Sequence, residues 1–92
     1  MTDADEMAFK SAQVHASRHR DQLERSESAG CFHCEVTFPV TAISEWIDDA
    51  ETALCPVCGV DSVIGDASGV PVLEAPFMAA MHGFWFKRAV PV

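Results

Sequence analysis

The chain has 92 residues, 49% of them apolar, and its 14 acids outnumber six Lys and Arg to give a formal charge of −8. That is one domain's worth of sequence, of which folding would bury roughly 60% of the surface, a marginal core unless a metal, a disulfide or a partner adds to it. The composition excludes a disordered acidic tail, no run approaches the ~18 apolar residues of a membrane span, and the acidic residues 1–6 do not resemble a secretory signal.

These features imply a cytosolic protein, a compartment in which paired cysteines more often bind metal or do redox work than form structural disulfides. They also weigh against nucleic acid as a partner. The single local basic cluster, Arg18, His19, Arg20 and Arg25, is interleaved with Asp21 and Glu24, and residues 30–92 hold two cations against eight acids.

In chain order, residues 3–25 lack Gly and Pro and are dense in helix formers, which predicts a helix starting at a Thr2 or Asp3 cap. Met7, Phe9, Ala12, Val14, Ala16 and Leu23 make only a weak apolar stripe, so this helix is expected to be largely solvated. A short extended stretch, residues 36–38, leads to Pro39, and Val40, Ile43, Trp46 and Ile47 then fall at the spacing of a two-turn helix. Residues 60–64 read as a strand stopped by Gly65, followed by a turn-rich loop to Pro71. From Glu74 or Ala75 to Arg88 the pattern is helical: Phe77, Met81, Phe84 and Trp85 mark the core side, Met78 and Phe86 the flanks, with Lys87 and Arg88 at the favourable C-terminal end.

The chemistry is concentrated in Cys31, Cys34, Cys55 and Cys58, spaced C-x2-C-x20-C-x2-C. Two thiolates separated by two residues can meet one ion from a tight turn, and two such turns close a tetrahedron with Zn–S of ~2.3 Å. Pro56 and Gly59 suit the second turn, one fixing φ on entry and the other permitting a positive φ on exit. Four thiolates leave no open position on Zn2+, which argues for a folding role and against zinc hydrolysis. A rubredoxin-like iron site, redox-active dithiols and disulfides are the alternatives.

His33, between Cys31 and Cys34, is a further possible ligand, and His15 and His19 share an i, i+4 spacing that can bind metal. An alternative catalytic site would join Asp61 and Ser62 to His19 or His82 as base and nucleophile. The plainer expectation is that Asp61 and Ser62 serve a strand end and that the histidines are surface groups.

The segments Gly30-Cys31-Phe32-His33-Cys34, Phe38, Glu45-Trp46, Thr52-Ala53-Leu54-Cys55-Pro56-Val57-Cys58-Gly59-Val60-Asp61-Ser62-Val63-Ile64-Gly65 and Trp85-Phe86 resemble a family of short bacterial cytoplasmic proteins to which no activity is attached. The resemblance runs from about His15 to Phe86, and it implies a bacterial cytosolic zinc protein. The knuckles also resemble zinc ribbons and rubredoxins. Glu35 and Val36 stand where a rubredoxin-like turn would have Gly and an aromatic residue, and residues 58–64 read as strand where a treble clef would start a helix.

The expected architecture is α+β, one domain over residues 1–92: a helical arm (1–29), a zinc-ribbon-like pair of knuckles with a short β-hairpin (30–65), and a loop with the C-terminal helix (66–92), plus a short middle helix. The expected function is a non-catalytic protein-interaction or adaptor module. The N- and C-terminal helices should pack together or exchange in a homodimer, since one is too weakly apolar to stand alone and the other too rich in aromatics.

Overall fold

A computed structural model describes residues 3–86, with the side chains of residues 3–5 excepted. The Thr2 cap and the terminal cations Lys87 and Arg88 lie outside the described residues. Three helices, α1 (Asp3–Val14), α2 (Arg20–Glu24) and α3 (Ala75–Phe86), surround two small antiparallel sheets. One has the order β2 (Thr37–Pro39), β1 (Ser28–Cys31), β5 (Val63–Gly65), and the other pairs β3 (Trp46–Ile47) with β4 (Thr52–Ala53).

Strand β1 is the spine. Ala29 faces Phe38 on one neighbour and Gly65 on the other, and Cys31 stands opposite Val63. Because side chains alternate along a strand, Ala29, Cys31 and Val63 join one apolar cluster with Leu23, Phe38, Ala53 and Cys55. Phe32 and Ile64 belong to a second cluster, with Phe9, Ala12 and Ala16 from α1 and its exit and Met78, Met81 and Phe84 from α3. The sheet thus divides the molecule into a cysteine side and a helical side. Gly30 permits the close approach of α3, for a Cβ placed there would lie 2.9 Å from Met78 Cε and 3.1 Å from the Val72 carbonyl oxygen.

The single N-terminal helix expected over residues 3–25 is broken into α1 and α2. Between them Arg18 takes a positive φ of 45° and its N–H donates to Thr52 Oγ1 at 2.8 Å, while the His19 N–H donates to the Glu51 carbonyl at 2.8 Å. Tertiary hydrogen bonds to β4 therefore replace helical ones, an effect that local propensity does not register. The weak stripe is nonetheless a face: Phe9, Ala12 and Ala16 are buried, and Met7 and Val14 are exposed.

The middle helix is absent. Val40–Ala42 is a 3-10 turn, and Trp46–Ile47 enters the β3–β4 hairpin. Its tip carries Asp48, Asp49 and Ala50 at φ of 54°, 59° and 66°, a left-handed run incompatible with a right-handed helix. Val40, Ile43 and Trp46 do pack against the cysteine-side cluster, so the apolar spacing marked contact correctly and conformation wrongly. The strand expected at residues 60–64 lies at Val63–Gly65.

Helix α3 forms where expected, with one reversal: Met78 is buried at its centre, whereas Phe77 and Trp85 are partly buried at the cluster's margin. Phe9 of α1 contacts Phe77 and Phe84 at ring-centroid distances of 5.8 and 5.4 Å, and Trp85 Nε1 donates to the Phe9 carbonyl at 3.4 Å. The two helices pack together within one chain. No helix among the described residues is long and apolar enough to cross a membrane.

Candidate metal centre

Each C-x2-C pair forms the same turn. In the first, Cys31 N–H donates to the Val36 carbonyl at 2.9 Å and the Cys31 carbonyl accepts Glu35 N–H at 2.8 Å. In the second, Cys55 N–H donates to the Val60 carbonyl at 3.0 Å and the Cys55 carbonyl accepts Gly59 N–H at 2.9 Å. Glu35 and Gly59 occupy equivalent left-handed positions, at φ of 62° and 77°. The first knuckle therefore achieves with a glutamate what the second does with glycine.

These turns bring the four Sγ atoms within 4.8 Å of one another, a cluster able to hold a metal ion. Cys31 and Cys58 approach to 3.7 Å, as do Cys34 and Cys55, each pair joining one knuckle to the other. An ideal tetrahedron with metal–sulfur bonds of ~2.3 Å has edges of ~3.8 Å, so the donor set fits a tetrahedral thiophilic ion. Cys31 and Cys55 are buried, Cys34 and Cys58 half-buried, and none is in a disulfide.

Burial pushes the Cys31 thiol far up, against hydrogen bonds from the Cys34 and His33 amides, and raises Cys34 as well. Burial alone would raise Cys55 too, but the N–H groups of Cys58 and Val57, each 3.4 Å from its sulfur, bring it below the ordinary thiol value. Amides already point at the position where thiolate charge would lie, an arrangement that lowers the cost of assembling four such ligands around a cation.

The other expected site residues scatter. His19 is buried, with Nδ1–H donating to the His15 carbonyl at 2.7 Å and Nε2 accepting the Ala53 N–H at 3.0 Å. Both ring nitrogens are thus committed to the backbone, and the i, i+4 histidines join backbone to ring rather than sharing a metal. His15 Nδ1 instead accepts from Gln22 Nε2 at 3.3 Å. Of the basic cluster, Arg20 is occupied by Glu24, the Ala50 carbonyl and the Trp46 ring.

Asp61 and Ser62 do share one hollow, but His19 does not line it. His82 stands behind its wall and does not line it either: its Nδ1 donates to the Phe32 carbonyl at 3.1 Å. His33 stands beside His82 and Phe86, with ring centroids 6.1 and 4.8 Å away, and its Nδ1 is buried without a hydrogen-bond partner among the described residues. It is not among the four clustered ligands. The walls of the Asp61–Ser62 hollow, Phe32, Trp85 and Phe86, were invisible as a group in the sequence because their meeting depends on α3 folding back over the first knuckle.

No protein-family model, curated protein or solved structure matches the chain.

Proposed function

We propose that this chain is a small cytosolic module whose fold is held by one structural Zn2+ on Cys31, Cys34, Cys55 and Cys58, and that it acts by binding a protein partner rather than by catalysis. The observation that carries the metal reading is the clustering of all four sulfurs within 4.8 Å, with cross-knuckle pairs at 3.7 Å. Zinc is preferred because it takes four thiolates in a closed tetrahedron without redox chemistry, and such a closed site leaves no position for an activated water.

The non-catalytic reading is supported by His19, whose two nitrogens are both spent on backbone partners, so it has no free lone pair to act as a base toward Asp61 or Ser62. The acidic surface, with a formal charge of −8, favours a basic protein partner over nucleic acid. We place the protein with the short bacterial zinc-knuckle family it resembles, as a single domain over residues 1–92, and a second copy of the chain is one partner to be tested.

Native mass spectrometry of protein purified under reducing conditions tests the reading. One zinc per chain supports it, and stoichiometric iron would make the module an electron carrier instead. The same spectrum, taken at micromolar concentration, separates a homodimer from a 10.0 kDa monomer.

A further inference from the structure

The hollow beside the metal cluster has a composition that the fold alone does not require. It encloses about 260 Å³ between the exit of α1, the first knuckle, the segment following the second knuckle and the end of α3. Ala16 and Phe32 are buried at its base, and Trp85 and Phe86 are its aromatic walls. Both walls are braced: Trp85 by its bond to the Phe9 carbonyl, and Phe86 by ring contacts to Phe32, His33 and His82.

Two polar residues, Asp61 and Ser62, join these walls. Ser62 is held in place by its carbonyl, which accepts the Phe32 N–H at 3.1 Å, and its hydroxyl is not committed to any hydrogen bond among the described residues, so it is free to bond a group that enters the hollow. Asp61, exposed on the same lining, makes no ion pair or hydrogen bond among the described residues. The hollow is smaller than the roughly 300–1,000 Å³ pockets that enclose drug-sized ligands. It suits a single side chain.

We infer that this hollow binds a planar cation, the guanidinium of an arginine presented by a protein partner, stacked between Trp85 and Phe86 and held by Asp61 and Ser62. Guanidinium is flat, weakly hydrated, and carries a fork of donors that can address a carboxylate while its face lies on an aromatic ring. A lysine ammonium can sit over a ring and bond a carboxylate, but it has no flat face to stack and no fork to pair both carboxylate oxygens. The chain's net negative charge draws such a partner in. The inference deepens the interaction-module reading and rests on it.

The test is an NMR titration of the full, metal-loaded chain with an acetylated, amidated Ala-Arg-Ala tripeptide, its lysine counterpart, and guanidinium ion as the small-molecule source. The two indole N–H signals supply an internal control, because Trp85 lines this hollow and Trp46 lines another. The arginine peptide should shift Trp85 saturably while leaving Trp46 in place, and the lysine peptide should bind at least about fivefold more weakly. Asp61→Asn, at an exposed position, should weaken binding about tenfold through loss of the charge-assisted bonds, and Ser62→Ala about threefold. Their melting temperatures report whether the fold is intact. An unmoved Trp85, equal binding of both peptides, or an Asp61→Asn variant that binds as well as the parent overturns the proposal, and guanidinium binding as tightly as the peptide overturns a partner protein as the source. These failures leave the metal result untouched, whereas finding iron in the cluster overturns the zinc-module reading itself.

Discussion

At the residue scale, the two knuckles pose a comparison within one molecule. Glu35 and Gly59 hold equivalent left-handed positions, yet only glycine does so without a Cβ penalty of about 1–2 kcal/mol. Glu35→Gly should therefore stabilise the protein by about 0.5–1 kcal/mol, after allowance for the greater freedom of glycine when unfolded, and Gly59→Ala should destabilise it by about 1 kcal/mol. Urea unfolding of the two variants measures both, and a destabilised Glu35→Gly would show that the glutamate side chain contributes something its geometry does not reveal. His19 makes a second residue-scale prediction. Burial lowers its pKa below 6.5, outweighing the hydrogen bond to the His15 carbonyl. The protonated ring is disfavoured in the folded state, so unfolding takes up a proton: the contribution of His19 to stability is complete above the unfolded value of about 6.5 and is lost as pH falls through the lower folded value. An NMR titration of the ring should find a midpoint below 6.5, and a midpoint above it would contradict the Nε2 acceptor role.

At the element scale, the cysteine knuckles and the C-terminal helix were legible in the sequence because both are encoded locally. The knuckles depend on cysteine spacing and a glycine, and α3 on an apolar pattern with Pro76 near its start. The break after Val14 was not legible, since it is made by Thr52 and Glu51 accepting the N–H groups of Arg18 and His19 from more than 30 residues away. The middle segment misled for a different reason. Val40, Ile43 and Trp46 keep a helical interval but reach the core from a 3-10 turn and a hairpin, and the left-handed run at its tip has no signature beyond two adjacent aspartates. A stripe through the aromatics puts Met78 on a flank, whereas the buried centre of α3 is where Met78 meets Gly30. Gly30→Ala should force that contact open and cost about 1–3 kcal/mol by overpacking against Met78 and the Val72 carbonyl. A calorimetric scan showing an unchanged melting temperature would mean that α3 shifts freely over the sheet.

At the scale of the whole molecule, the fold is two small apolar clusters on opposite faces of a three-stranded sheet, and the cysteines belong to one of them. Neither cluster is large, and the strands are two to four residues long, below the length at which isolated hairpins are stable in water. On the cysteine side, Cys31 and Cys55 are core residues as well as candidate ligands, so a bound ion would replace packing that the short chain cannot supply. Metal binding and folding are therefore expected to be one equilibrium. Thermal unfolding under reducing conditions, with and without a strong chelator and with metal content verified in each sample, tests this most directly. The metal-free protein should lose its cooperative transition or melt tens of degrees lower, with Cys58→Ser behaving likewise; an unchanged melting temperature after verified metal removal would contradict the account.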